Sequence, residues 1–165
     1  MSDDPAQSAP PHAPIASDSV PWETWSQGVR FGSRYRHLTL AAVGKDYHVG
    51  VQIEELEPGR QSSPAHFHLH EEEHVLVLAG EVTLRLGDAC HALQAGDYVC
   101  FPAGQQAGHC LVNEGTALCR FLVIGEQRKD EVCVYTDSNK VYVRQLGQVF
   151  DRGALLQYWD GEPAE

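Results

Sequence analysis

The chain has 165 residues, of which 42% are apolar, and a formal net charge of −11 from 12 basic and 23 acidic side chains. This length predicts one domain with a proper hydrophobic core. The acidic balance argues against nucleic acid as a partner, because no Lys/Arg cluster is available to neutralise phosphates. No apolar run approaches the roughly 18 residues of a membrane span, and no secretory signal is visible. We therefore expect a small-molecule partner.

The five cysteines form an odd set without a Cys-x-x-Cys pair. This usage is typical of core thiols in a reducing cytosol and predicts a cytoplasmic protein. Cys110 adjoins His109, but neighbouring strand residues point to opposite faces, which argues against a thiol nucleophile activated by this imidazole.

Residues 1–20 are rich in Pro, Ala, Ser and Asp and carry almost no large apolar side chain. Such a segment cannot bury enough surface to offset its ordering entropy, so it predicts a disordered or extended arm. The folded domain is then expected to span residues 21–165. Near its start, Trp22 and Trp25 are expected to pack against the outside of the domain or a neighbouring subunit.

Short apolar segments separated by turn signals fill the middle of the chain. Val49, Val51 and Ile53 alternate with polar or small residues, as in a half-buried strand. The continuous apolar run 75–78 predicts a strand buried on both faces. The predicted strands are 36–43, 47–56, 75–78, 81–86, 90–93, 98–101, 109–113, 117–124, 131–135 and 140–144, followed by a tail or short helix over 150–165. This pattern, without a long helical period, predicts an all-β barrel or sandwich.

The densest group of potential metal ligands lies in residues 66–74, which hold four imidazoles and three carboxylates. Side chains two apart on a strand share a face, so His66 and His68 project together. Glu73 lies on the next strand segment, and His109 begins another strand. Burying such ionisable groups needs a compensating partner, and a metal ion is the obvious one. Three imidazoles with one carboxylate suit Zn, Mn, Fe or Ni better than Ca or Mg.

Two spaced motifs cover most of residues 49–124. The first is Gly59-x6-His66-x-His68-x4-Glu73-x6-Gly80. The second is Gly96-x5-Pro102-x-Gly104-x4-His109-x3-Asn113. In order and spacing they resemble the two motifs of the cupin superfamily, although the first has one extra residue before His66 and the second has two extra residues before His109. The surrounding segments are similar to small stand-alone bacterial cupins, a mostly uncharacterised group in which some members are labelled sugar-phosphate isomerase-like.

The cupin resemblance implies a double-stranded β-helix, which is a small jelly-roll barrel that holds one divalent transition metal per chain in its mouth. It also implies a homodimer in many members. The ligands carried over by position are His66, His68, Glu73 and His109. We expect an enzyme that acts on a small oxygen-rich metabolite, either an organic acid or a sugar derivative, as an isomerase, a lyase or decarboxylase, or a dioxygenase. The alternatives are a non-catalytic ligand-binding or sensor module and a barrel whose metal is purely structural.

Several neighbours of the proposed ligands have open roles. Glu72 is the alternative to Glu73, because the family tolerates a shorter spacing to the following glycine. Glu71 and Glu72 are otherwise expected in a solvated turn. His70 and His74 are expected to surround the metal or to be solvated.

The general acid or base is not identified by any pattern, and the candidates are Tyr98, His70 and Glu72. The arginines near the motifs are Arg60, Arg85 and Arg120. Such a sparse set weakens the case for a phosphate-binding clamp without excluding it.

Overall fold

The computed structural model describes residues 12–163, which form thirteen β-strands and one α-helix, α1 (Leu38–Val43). The first strands are β1 (Glu23–Gln27), β2 (Phe31–His37), β3 (Val49–Leu56), β4 (His66–His68), β5 (Glu73–Ala79) and β6 (Glu81–Leu86). The others are β7 (Ala89–Gln94), β8 (Tyr98–Phe101), β9 (His109–Val112), β10 (Cys119–Glu126), β11 (Val132–Tyr135), β12 (Lys140–Val143) and β13 (Gln148–Asp151). No helix within residues 12–163 combines the length and the apolar character needed to cross a membrane.

The strands form two antiparallel sheets. One has six strands in the order β1-β2-β3-β10-β5-β8, and the other has seven in the order β13-β12-β11-β4-β9-β6-β7. From β3 to β11, most strands lie in a different sheet from the strand that precedes them, as β5 does from β4, so the chain passes repeatedly between the two sheets as in a jelly roll. The predicted all-β jelly-roll class is confirmed as this two-sheet arrangement.

The core is made of apolar side chains from both sheets. Its buried members are Leu56, Val75, Val77, Val82, Leu84, Phe101, Leu111, Cys119 and Phe121. Burial of each large aliphatic or aromatic side chain contributes about 1.5–3 kcal/mol. This burial also fixes which face of each strand points inward, because a slip of one residue would turn the apolar set outward.

Strand β5 buries only one of its faces, so the prediction of burial on both faces over residues 75–78 is wrong. Val75 and Val77 are 2% and 1% exposed, whereas Leu78 on the other face is 41% exposed. The reason is that β5 lies in an antiparallel sheet, which can pack one face on the core and leave the other outside. Glu73 shares the inward face with Val75.

Residues 38–43 form α1, which corrects the prediction of a strand over 36–43. His37 is the N-cap, and its Nδ1 accepts a hydrogen bond from the Leu40 N–H at 3.1 Å. The cap satisfies an N–H group that has no partner within a helix. Gly44, with φ of 81°, follows as the C-cap. Local capping here outweighs the alternating apolar pattern.

Strands β1 and β2, which the sequence pattern did not predict, form one edge of the six-stranded sheet. The guanidinium carbons of Arg34 and Arg36 lie 4.9 and 4.4 Å from the ring centroid of Trp22. Trp25 Nε1 donates a hydrogen bond to Ser33 Oγ at 3.0 Å. Both tryptophans therefore contact side chains of β2.

The predicted arm, residues 1–20, is described only from residue 12 onward, and residues 1–11 lie outside the described part of the chain. A single 3₁₀ turn occurs at Ser17–Ser19. Arg36 donates a hydrogen bond to the Ser17 carbonyl at 3.1 Å, and Val20 is 7% exposed. This part of the arm thus rests against β2.

The C-terminal region begins with β13, another strand that the sequence pattern did not predict. Residues 152–163 contain turns and, within that described range, no helix. Their large apolar side chains are exposed, namely Leu155, Leu156, Tyr158 and Trp159.

Candidate metal centre

Four side chains from both sheets meet at one end of the core. His66 and His68 lie on β4, His109 begins β9 and Glu73 begins β5. His66 is paired directly with His109 between β4 and β9. One potential ligand atom from each of the four residues lies within 4.8 Å of the others. The structure therefore brings together all four residues that the cupin motifs indicated.

Hydrogen bonds orient the two imidazoles on β4. Nδ1 of His66 lies 2.9 Å from the Pro64 carbonyl oxygen, and Nδ1 of His68 lies 3.2 Å from Glu131 Oε1. Because both partners are acceptors, we assign the imidazole proton to Nδ1 in each ring. Nε2 of each ring then carries the lone pair that a metal requires.

His109 is oriented by stacking. Its ring is nearly parallel to that of Phe101, with a centroid separation of 3.7 Å and an interplanar angle of 5°. Within residues 12–163, neither nitrogen of His109 has a hydrogen-bond partner, and the same is true of His68 Nε2. Such buried, unpartnered polar atoms are costly and therefore uncommon.

These unpartnered nitrogens face the carboxylate of Glu73. Nε2 of His68 and Nε2 of His109 each lie 3.6 Å from one Glu73 oxygen, beyond normal hydrogen-bond length. Two atoms that each bind one ion at about 2 Å can be separated by such a distance. The donor set therefore fits a divalent transition metal such as Zn, Mn, Fe or Ni, which would occupy the space between these atoms.

The charges of the cluster also favour a cation. Burial and, to a smaller extent, the neighbouring His109 lower the pKa of His66 to about 4. Burial raises the pKa of Glu73, but interactions with His109 and His68 outweigh it and hold this pKa well below its usual value. Burial lowers the pKa of His68, but Glu73 and Glu131 raise it on balance. An ionised carboxylate thus lies beside a neutral His66.

Glu131 fixes His68 from the side opposite Glu73. This carboxylate is fully buried and also accepts hydrogen bonds from the backbone N–H groups of Leu69 and His70, at 3.1 and 3.0 Å. A carboxylate that binds the second nitrogen of a ligand imidazole fixes its tautomer and increases its basicity. Glu131 is therefore a positioning residue for His68.

Glu71 is buried, which corrects its prediction as part of a solvated turn. It is only 4% exposed, and both of its oxygens accept hydrogen bonds from the guanidinium group of Arg144. Oε2 of Glu71 lies 3.6 Å from Nδ1 of His68. Glu71, the first carboxylate in the loop between β4 and β5, therefore points inward and pairs with Arg144, which directly follows β12.

Glu72 and His74 point away from the cluster, to the outer face of β5. Nε2 of His74 lies 3.0 Å from Glu72 Oε1, and Nδ1 of His74 lies 2.7 Å from the Tyr98 hydroxyl. The structure therefore places Glu73, and not Glu72, beside the ligand imidazoles.

A cavity of about 140 Å³ is lined by three of the four residues, His66, Glu73 and His109. Its polar wall includes Gln52, Glu54, Ser62 and Ser63. Burial raises the pKa of Glu54 to about 7, and the charge of Glu73 adds to this effect, against opposing hydrogen bonds from Ser33 and Gln52. Without a bound cation, the carboxyl group of Glu54 therefore holds its proton more tightly than an exposed Glu does.

The proposed acid–base candidates do not line this cavity, whose described lining residues exclude Tyr98, His70 and Glu72. Tyr98 and Glu72 lie on the outer face of the sheet, and His70 is exposed, with Nδ1 2.8 Å from a backbone carbonyl. Glu54 is better placed than any of the three.

The cavity wall also lacks basic residues, since none of its described lining residues is Lys or Arg. The arginines near the motifs have other partners. Arg60 donates to a backbone carbonyl at 2.9 Å, Arg85 pairs with Asp137, and Arg120 pairs with the buried Glu55. No phosphate clamp is therefore formed by these three side chains in the cavity.

Residues 52–125 match the Cupin domain family. A protein from Acidithiobacillus ferrooxidans has a similar structure, with a TM-score of 0.71. It is provisionally named a sugar phosphate isomerase. It is 30% identical in sequence over 76% of this chain and 80% of that chain. The chain belongs to the cupin superfamily.

Other solved cupins resemble this one at lower identity. A sugar phosphate isomerase of the cupin superfamily from Silicibacter pomeroyi is 27% identical over 90% of this chain and 98% of that chain, with a TM-score of 0.75. A predicted oxalate decarboxylase from Thermotoga maritima, 20% identical over 70% of this chain and 100% of that chain with a TM-score of 0.58, shares the fold. No curated protein matches the sequence.

The residues around the candidate site whose placement the sequence did not reveal are Glu54, Glu71, Glu131 and Arg144. The strand alternation around Val51 and Ile53 gave the opposite indication for Glu54, because it assigned the apolar residues to the core face, whereas the polar Gln52 and Glu54 line the cavity. Glu71, Glu131 and Arg144 gave no local signal, since each acts on a partner from a distant part of the chain.

Proposed function

We propose that this cupin is an enzyme that acts on a small oxygen-rich metabolite through one divalent transition metal. The ligands are His66, His68, Glu73 and His109. The observation that carries the proposal is the convergence of the unpartnered Nε2 atoms of His68 and His109 on the Glu73 carboxylate, which lines a cavity. A metal bound there would act as a Lewis acid toward an oxygen atom of the substrate.

The cavity supports a small substrate, either an organic acid or a sugar derivative. Its volume of about 140 Å³ is well below the roughly 300–1,000 Å³ of pockets for drug-sized ligands. Amide, hydroxyl and carboxyl groups from Gln52, Ser62, Ser63 and Glu54 offer hydrogen bonds to substrate hydroxyls. Because the described wall carries no Lys or Arg, a carbonyl, hydroxyl or carboxylate group suits the cavity better than a phosphate.

We assign proton transfer to Glu54. A general acid–base group is most effective when its pKa is close to the working pH, and burial raises the pKa of Glu54 to about 7. Hydrogen bonding from Gln52 holds the carboxyl group within the cavity. Isomerisation, which the names of two relatives suggest, requires a proton to move between neighbouring carbon atoms, and Glu54 is the residue that would carry it.

The assembly and location are also part of the proposal. We infer a closed jelly-roll barrel and a homodimer from the cupin resemblance. A cytoplasmic location agrees with the five cysteines, all of which are free.

Hydrogen–deuterium exchange tests the proposal. The Mn- or Zn-loaded protein is incubated in D₂O with a series of small hydroxy acids and hydroxycarbonyl compounds, and exchange beside the carbonyl is followed by NMR. We expect metal-dependent exchange that falls at least about tenfold in Glu54→Gln, with its metal content unchanged. Glu57→Gln, at an exposed position, is the control. Ligand binding without exchange would support a sensor instead, and a loaded protein that binds no compound would support a structural metal.

A further inference from the structure

We propose that Glu72, His74 and Cys100 form a second metal site, on the outer face of the six-stranded sheet, which binds Zn²⁺ or a similar borderline-soft divalent ion. One carboxylate oxygen, one ring nitrogen and Sγ lie within 4.8 Å of one another. This site shares no ligand with the first and does not depend on the proposed function.

The pairing of β5 with β8 places these three residues together. His74 lies directly opposite Cys100 in this antiparallel pair. Glu72 precedes His74 by two residues and points to the same side of the chain. The neighbouring pair, Glu73 and Phe101, faces the opposite way, toward the first site. The cluster therefore follows from strand register as well as from side-chain rotamers.

Tyr98 orients the imidazole of the second site. Its hydroxyl lies 2.7 Å from His74 Nδ1, and its ring is stacked on the imidazole with a centroid separation of 5.9 Å and an interplanar angle of 19°. Nε2 of His74 then faces Glu72, whose Oε1 is 3.0 Å away. Tyr98 thus binds one imidazole nitrogen, as is usual for a metal-binding histidine, and an ion would replace the contact between the other nitrogen and Glu72.

The donor types select the ion. A thiolate, an imidazole and a carboxylate are all zinc ligands, whereas Ca²⁺ and Mg²⁺ prefer shells made of oxygen. All three residues are partly exposed, so an ion can enter from solvent. Three protein ligands leave a fourth tetrahedral position open to water. By comparison, Cys90 belongs to no such group among the described residues.

An ion at this site would join β8 to β5. β8 is an edge strand of the six-stranded sheet and pairs with β5. The same two strands carry Glu73 and Phe101, which respectively face and stack against His109. An ion in the second site would therefore stabilise the pairing of β5 with β8, the two strands that position Glu73 and Phe101 at the first site.

Cobalt spectroscopy distinguishes the two sites. A Co²⁺ ion bound by a thiolate gives an intense near-ultraviolet charge-transfer band, and the first site contains no sulfur ligand. We expect the metal-stripped full-length protein to develop this band on titration with Co²⁺ and to lose it on addition of Zn²⁺. The band should be absent from Cys100→Ser and retained by His68→Ala, in which the first site is damaged.

Cys90→Ser is the matched control, because Cys90 is exposed and lies outside the cluster, and it should keep the band. Glu72→Gln, which changes an exposed side chain, should weaken Co²⁺ binding and gives a second test if Cys100→Ser does not fold. A wild-type protein without a thiolate band at saturating Co²⁺, or a band that survives Cys100→Ser, would overturn the proposal.

Discussion

Nδ1 of His68 lies 3.2 Å from Oε1 of Glu131, a fully buried carboxylate 63 residues further along the chain. Glu131 immediately precedes β11, which pairs with β4 and so holds the carboxylate next to the ligand strand. The proposed ligand therefore lies on β4, and the carboxylate that orients it directly precedes β11, the neighbouring strand of the same sheet. The geometry of the candidate centre depends on this pairing as much as on the ligands themselves.

Replacement of Glu131 with Gln should lower metal affinity by about 10–100-fold, the usual cost of losing a carboxylate partner of a ligand imidazole. The amide oxygen of Gln can still accept a backbone hydrogen bond, so the fold should persist. Competition with a chelator measures the affinity. Asp130→Asn, at an exposed neighbouring position, should leave it unchanged, and equal affinities in the two variants would count against the positioning role.

Replacement of Glu54 with Gln should change the pH dependence of stability in the metal-free protein. The pKa of Glu54 rises to about 7 from an ordinary 4.5, so the folded chain binds this proton more tightly than the unfolded chain. The free energy of unfolding therefore falls as pH rises between those two values and is level above about pH 7.

The amide of the Glu54→Gln variant cannot ionise, so its free energy of unfolding should not fall in this way as pH rises. Relative to the wild type, we expect it to gain roughly 1–3 kcal/mol of stability between about pH 5 and pH 8. Urea denaturation in the presence of a chelator measures both proteins. Parallel pH profiles would show that the Glu54 carboxyl group does not titrate in this range.

Replacement of Arg144 with Ala should destabilise the protein by about 3 kcal/mol, because it leaves the buried carboxylate of Glu71 without its cation. The matched control is Arg128→Ala, which removes an exposed pair with Asp130 and should cost less than about 1 kcal/mol. Urea denaturation compares the two. A loss no larger for Arg144→Ala than for the control would mean that the pair with Glu71 is not important for stability.

The sequence predicted the four proposed ligands because their signals are local. His66 and His68 share a face by strand period, while Glu73 and His109 occupy fixed positions in short motifs. Glu131 and Arg144 could not be found in this way, since each acts on a residue more than sixty positions away. Only the pairing of strands, which a single sequence does not specify, brings such residues together.

The errors in the predicted fold have different causes. Residues 36–43 were predicted as a strand, but the His37 side chain caps a helix over Leu38–Val43. Leu78 is apolar but exposed, because the outer face of β5 is not covered by the core. The apolar pattern could not predict which outer faces would stay uncovered, and in β3 it gave the wrong inward face, because the polar Gln52 and Glu54 line the cavity.

The most direct test of the metal centre is the metal content of Cys100→Ser, in which the second site is disabled, compared with the same chain carrying His109→Ala. Elemental analysis should find about one divalent transition metal per chain in the first protein and almost none in the second. His91→Ala in the same background, at an exposed strand position, should retain the metal. Full metal content in the His109→Ala protein, or failure of the Cys100→Ser protein to bind any of Zn, Mn, Fe and Ni, would contradict the assignment of this centre.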